Sequence, residues 1–204
     1  MIAAILAGGE NRRIPRLKGL LRVEGKTIIE RSLDVMNRIF GKPACPVGRV
    51  VINTNSPELY FRFGVPLVGD IRSERGPMTG IYSVLTATGE DSVFVVACDM
   101  PFLSEGLIRR LVDVSATIKT ADAVVPVFRG KVEPLFGIYA KSACAVMEAL
   151  LAQGKKGLQE MLRELKVASI SEEEVRRIDP AGRSFVNINT LDEYEKIGGA
   201  PCLV

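Results

Sequence analysis

The sequence predicts an α/β fold built on a mostly parallel, mixed sheet, and three observations predict it. Apolar runs of strand length recur at Ile2 to Leu6, Val50 to Ile52, Val65 to Val68 and Val93 to Ala97. Continuous runs without polar alternation are the mark of strands buried on both faces. Between them lie stretches with apolar residues at three- and four-residue spacing, the period of a helix resting one side on a core. Strands alternating with such helices need crossover connections, hence parallel pairing. The third observation is a break in the alternation after Ala121, where two strand-like runs joined by a tight turn must pair antiparallel.

Taken in order, Ile2 to Leu6 is the first strand, and Thr27 to Ile39 is the first helix, with Ile28, Ile29, Leu33, Val35, Met36 and Ile39 toward the core. The next two strands end at Ile52 and Val68, and Gly76-Pro77-Met78-Thr79-Gly80 is a turn entering a helix. After the fourth strand, Val93 to Ala97, a helix covers Leu107 to Val114. Ala123 to Phe128 and Pro134 to Tyr139 form the hairpin, turning through Arg129-Gly130-Lys131. Helical periodicity returns over Lys141 to Ala152 and Gly157 to Leu165. The run with Glu172, Glu173, Glu174, Arg176 and Arg177 reads as solvated surface. Val186 to Asn189 is strand-like, and Thr190 followed three residues later by Glu193 is a capping box that starts a last short helix.

At 204 residues the chain is expected to form a single domain over 1–204, with no repeat, low-complexity tract or linker. Lys and Arg number 27 against 24 Asp and Glu, a net charge of +3, too weakly basic for a dedicated nucleic-acid binder. Cys45, Cys98, Cys144 and Cys202 stand far apart without a CxxC pair, which argues against a zinc ribbon or a disulfide scaffold and fits a reducing cytosol. The N-terminus lacks a secretory leader pattern, and no apolar run approaches the roughly 18 residues of a membrane span. The expectation is a soluble cytoplasmic protein. With no histidine in the chain, every mechanism that needs an imidazole is closed.

In an open parallel sheet, ligands bind beyond the carboxyl ends of the strands. The first strand ends in Leu6-Ala7-Gly8-Gly9, and Arg12, Arg13, Arg16 and Lys18 follow. Paired glycines let backbone N–H groups approach an oxyanion, and clustered cations neutralise polyphosphate. The alternative is a glycine turn with solvated basic side chains. The fourth strand runs into Cys98-Asp99-Met100-Pro101, which sets a carboxylate where a hard cation is commonly held by one or two carboxylates plus substrate phosphates. Otherwise Asp99 caps the helix near Leu107. Asp70 is a second carboxylate on the same rim, suited to a metal or a ribose, or to a turn. Asn53 and Asn55 follow the second strand, where an amide can read both edges of a base or stabilise a loop.

Together, Leu6-Ala7-Gly8-Gly9 with the arginines, Lys18, and Cys98-Asp99-Met100-Pro101 resemble the LAGGxSxRM...K and CDxP signatures of cytidylyl- and guanylyltransferases. Lys18-Gly19-Leu20-Leu21, Gly69-Asp70, Gly76 to Gly80, Glu133-Pro134-Leu135-Phe136 and Phe185-Val186-Asn187-Ile188-Asn189-Thr190 narrow the resemblance to the MobA family of molybdenum cofactor guanylyltransferases. The likeness extends from residue 1 to about 196. It implies a Rossmann-like nucleotide-diphospho-sugar transferase fold with three α/β/α layers. It implies transfer of GMP from GTP to the phosphate of molybdopterin cofactor, with release of pyrophosphate and a requirement for Mg2+.

Carried onto this sequence, the resemblance gives Leu6, Ala7, Gly8 and Gly9 main-chain contacts to the nucleotide, Lys18 the phosphates, and Asn53 and Asp70 the nucleoside. Asp99 would bind both nucleotide and metal, with Lys18 and Arg13 neutralising charge during transfer. Asn187 and Asn189, with Lys155 and Lys156, would face the acceptor. Partners would be the two substrates, with molybdoenzymes or cofactor-insertion proteins as further candidates, and neither nucleic acid nor membrane. The sequence departs from the family pattern at Pro15 and Leu17, where glycine and aspartate usually precede the lysine, and at Asn11 in place of serine. Two other readings stay open. One is a cytidylyl- or guanylyltransferase for another phosphorylated acceptor. The other is a catalytically inactive nucleotide-binding regulator.

Overall fold

A computed structural model describes residues 1–8, 18–41 and 49–198. Its strands are β1 (Ile2–Leu6), β2 (Arg22–Val23), β3 (Lys26–Thr27), β4 (Val50–Asn53), β5 (Leu67–Val68), β6 (Ser92–Ala97), β7 (Ala123–Phe128), β8 (Lys131–Val132), β9 (Phe136–Ala140) and β10 (Val167–Ile170). The helices are α1 (Ile28–Phe40), α2 (Pro77–Thr88), α3 (Glu105–Thr117), α4 (Cys144–Ala152), α5 (Leu158–Glu164), α6 (Glu172–Ile178) and α7 (Leu191–Lys196).

β1 has β4 and then β5 parallel to it on one side and β6 parallel on the other. Beyond β6 the order is β9, β7, β10, with β9 antiparallel to both neighbours and β10 parallel to β7. The sheet is therefore mostly parallel and mixed, as expected. The chain leaves β1 toward β4 and returns to its other side at β6, so a topological switch point opens beyond the carboxyl ends of β1, β4 and β6.

The pleat explains the three layers. Ala3 and Ile5 of β1 face Ile29, Leu33 and Met36 of α1 and Leu107 and Leu111 of α3. Ile2, Ala4 and Leu6 face Ile81 and Leu85 of α2, Met147 of α4 and Met161 of α5. A strand with both faces covered must be apolar at every position, which is why β1 reads as one continuous run. Each fully buried Ile, Leu or Met among these stabilises the fold by about 1.5–3 kcal/mol. Thr27 sets the start of α1 through a capping box: its hydroxyl accepts from Glu30 N at 3.2 Å, and its own N–H donates to the Glu30 carboxylate at 2.7 Å.

Several elements differ from the sequence reading. The third strand shrinks from Val65–Val68 to Leu67–Val68, a half-buried edge. The Arg129-Gly130 turn leads into β8, which pairs Phe128 with Lys131, and only then does β9 return to pair Ala123 with Tyr139. The charged run is solvated surface as expected, and it is helical: it forms α6, capped by Ser171, buried through Val175 and laced by Glu172–Arg176 and Glu173–Arg177 pairs at 2.6 and 2.5 Å. Val186 to Asn189 is not a strand. Its Ile188 is buried with Leu21, Val23, Ile28 and Tyr194, which pins this segment against the β2–β3 hairpin. Tyr194 adds a hydrogen bond from its hydroxyl to Arg22 O at 2.7 Å.

Candidate active site

A cavity of about 590 Å³ opens at the switch point, within the range of small-molecule sites. Its base is the carboxyl end of β1, Leu6-Ala7-Gly8, beside Ala97-Cys98-Asp99 at the end of β6. Backbone bonds fix these ends side by side: Ala7 N donates to Asn53 O at 2.8 Å and Cys98 N to Leu6 O at 3.1 Å. One wall carries Asn53, Tyr60, Asp70 and the entry of α2 at Arg75-Gly76-Pro77. The other carries Lys18, Leu135, Asn187 and Asn189. Thus Leu6, Ala7, Gly8, Lys18, Asn53, Asp70, Asp99, Asn187 and Asn189, singled out from the sequence, line one cavity. Gly9 and Arg13 lie outside the described residues, as do Arg12, Arg16, Pro15, Leu17 and Asn11.

Lys18 sits at the junction. Its ammonium donates to Asp99 Oδ2 at 3.0 Å and to Asn189 Oδ1 at 2.6 Å. Both charged partners are about four-fifths buried, with side-chain exposures of 20% and 17%. Asp99 also holds the C-terminal segment, because its carbonyl accepts from Ile188 N at 3.0 Å. Asp99 does not cap α3: Ser104 does, its hydroxyl accepting from Leu107 N at 3.3 Å. Among the described residues Asp99 Oδ1 takes no hydrogen bond, which leaves one carboxylate oxygen for a ligand.

The opposite wall is locked internally. Asn53 spends its amide hydrogens on Val68 O at 3.1 Å and Asp70 Oδ1 at 3.0 Å, leaving its carbonyl oxygen. Asn55 donates to Asp70 Oδ2 at 2.7 Å and accepts from Asp70 N at 2.8 Å, so Asn55 stabilises the loop. Lys155 is paired with Glu160 at 2.9 Å, and neither it nor Lys156 is among the residues lining the cavity. Tyr60 and Arg75 line it without having been singled out, because neither lies in a motif, and Leu135 of the Glu133-Pro134-Leu135-Phe136 segment joins them. Cys98 is another wall residue. Burial first, then the Asp99 charge, pushes its thiol up to about 12, so it stays protonated near neutrality. Among the described residues no three His, Cys, Asp or Glu side chains converge as a metal cage.

A switch-point cavity lined by Gly8, a lysine and a strand-end carboxylate fits a nucleotidyltransferase of the Rossmann-like α/β/α class. Residues 3–170 match the MobA-like NTP transferase domain, and the chain belongs to that family. It is 34% identical over 197 residues to the molybdenum cofactor guanylyltransferase of Desulfosudis oleivorans, covering 96% of this chain and 93% of that one. It is 32% identical over 200 residues to the probable molybdenum cofactor guanylyltransferase of Clostridium perfringens strain 13, covering 96% and 94%. The crystal structure of molybdopterin-guanine dinucleotide biosynthesis protein A from Archaeoglobus fulgidus superposes with a TM-score of 0.82 at 28% identity, covering 97% and 96%. Among the described residues no helix is long and apolar enough to cross a membrane.

Proposed function

We propose that this chain transfers the GMP moiety of GTP to the phosphate of molybdopterin cofactor, releasing pyrophosphate and forming the guanine dinucleotide. The observation that carries the reading is the convergence of Lys18, Asp99 and Asn189 over the carboxyl end of β1. The names of the curated relatives supply the nucleotide and acceptor.

In the reaction an oxygen of the acceptor phosphate attacks the α-phosphorus of GTP. A new P–O bond forms, the bridging α–β P–O bond breaks, and its electron pair leaves with pyrophosphate. The acceptor is already an anion, so no enzyme nucleophile or imidazole base is needed, in keeping with a chain that has no histidine and a protonated Cys98. What the enzyme must supply is orientation and charge neutralisation between two anions. Lys18 supplies a cation held in place by two partners, and Arg13 is proposed to add a second. Leu6, Ala7, Gly8 and Gly9 contact the nucleotide through main chain, with Asn53 and Asp70 toward the nucleoside and Asn187 and Asn189 toward the acceptor.

The donor set suits Mg2+, which is commonly held by one or two carboxylates together with substrate phosphates. Asp99 would hold it, through the oxygen that Lys18 does not occupy. When bound, the ion would lower the charge repulsion between the phosphates. A cytoplasmic setting follows from the substrates, and molybdoenzymes or cofactor-insertion proteins would receive the product. Asp99→Asn tests the assignment: turnover is expected to fall by orders of magnitude while GTP binding weakens only modestly. Full activity in that variant would remove Asp99 from the reaction.

A further inference from the structure

Tyr60 lies between two 3-10 turns, Pro57–Leu59 and Phe61–Phe63, in the connection from β4 to β5. Its backbone is fixed there: its N–H donates to Pro57 O at 3.0 Å, and its carbonyl accepts from Phe63 N at 3.0 Å. The side chain is 2% exposed, packed in the same apolar cluster as α1 and against the Phe63 ring at 6.3 Å between centroids. Yet Tyr60 is a wall residue of the cavity, and among the described residues its hydroxyl makes no hydrogen bond.

The ring is buried, whereas the hydroxyl is not among the buried polar atoms left without a partner, so it keeps access to the cavity. Of the other three tyrosines, Tyr139 donates to Pro134 O at 2.7 Å and Tyr194 to Arg22 O at 2.7 Å, while Tyr82, 9% exposed and outside the cavity lining, makes no such bond among the described residues. A phenylalanine would fill the space beside Phe63 as well, and no hydrogen bond within the described residues uses the Tyr60 hydroxyl. A ligand that enters the cavity can take the place of solvent as its partner. Burial holds the phenol in its protonated form. Tyr60 therefore offers a hydrogen and requires an acceptor.

We propose that Tyr60 is a nucleotide-contacting residue, its hydroxyl donating a hydrogen bond to an oxygen of the nucleotide bound in the cavity. The inference rests on the nucleotide reading of this cavity and adds to it a contact from the β4–β5 connection.

The test titrates GTP and, separately, CTP calorimetrically into the unaltered protein and into Tyr60→Phe, with thermal midpoints of both ligand-free proteins. The nucleotide the unaltered protein binds more tightly is expected to bind Tyr60→Phe roughly three- to tenfold more weakly, the worth of one neutral hydrogen bond. Its KM should rise by a similar factor, with kcat changed much less. The ligand-free midpoint should stay the same or rise. Unchanged affinity and KM in Tyr60→Phe would overturn the proposal alone, as would a lowered ligand-free midpoint with affinity preserved. Binding of neither nucleotide by the unaltered protein would overturn the nucleotide reading itself, and the Tyr60 contact with it.

Discussion

Lys18 and Asn189, 171 positions apart in the chain, are joined by a 2.6 Å hydrogen bond across the mouth of the cavity. Asn189 is itself aimed from behind, because its N–H donates to Glu193 at 2.7 Å. The C-terminal segment is thus part of the site wall, seated on the β2–β3 hairpin by Ile188 and Tyr194.

Asn189→Ala removes the second partner of the Lys18 ammonium and leaves Asp99 as the first. A hydrogen bond to a charged group is worth about 1.5–3 kcal/mol when shielded, and less at a partly exposed rim. The expected result is a fall in kcat/KM of roughly tenfold with little change in the thermal midpoint. Steady-state kinetics with each substrate varied in turn will check it.

Glu193 links this strip to pH. The Asn189 N–H bond is the largest of the influences that hold its carboxyl below the usual glutamate range, with the Thr190 bonds and the Lys18 charge adding to it. A lowered pKa means the folded state prefers the ionised form. The contribution is therefore complete above the ordinary glutamate pKa of about 4.3 and is lost as pH falls through the lowered value. Glu193→Gln should reduce turnover several-fold at pH 7 and lower the midpoint there. Below that lowered value the two proteins should converge, as thermal melts across acid pH will show.

Gly80→Ala is expected to damage the site more than the fold. A Cβ at Gly80 would collide with Asn53 Oδ1 and stand 3.3 Å from Leu6 Cδ2. The Asn53 carboxamide must move, which disturbs its bonds to Val68 and Asp70. Nucleotide affinity should fall about tenfold or more, with destabilisation of roughly 1–3 kcal/mol from overpacking. Calorimetric titration of GTP and denaturant melts separate the two effects.

Cys98, although next to Asp99, is expected to be dispensable for chemistry. Its high thiol pKa leaves almost no thiolate at pH 8. Cys98→Ser should retain kcat within about threefold, and iodoacetamide at pH 8 should leave Cys98 unmodified in a mass-spectrometric peptide map.

Much of this arrangement was legible because buried strands and their ends carry strong signals. β1 and β6 are unbroken apolar runs, and the loops after them hold Gly8 and Asp99, so strand-end logic led directly to the cavity. The Thr190–Glu193 capping box was readable for the same local reason. β10 was not, because it is a four-residue edge strand with Val167 and Ser169 exposed. The β2–β3 hairpin turns through Glu24-Gly25, with φ of 51° and 84°, and lacks the Asn-Gly or Asp-Gly pair that announces such turns. Val186–Asn189 has the apolar look of a strand because Ile188 is buried, but it is buried by docking rather than by pairing. Tyr60 escaped notice for a different reason: its importance lies in a missing partner, which only coordinates reveal.

The most direct measurement is pyrophosphate release from GTP, and separately from CTP, by the purified protein with Mg2+ and molybdopterin cofactor, with the product identified by mass. Release with GTP and a product heavier by one GMP residue is the expected result. Release only with CTP, or tight GTP binding without any release in the presence of the acceptor, would contradict it.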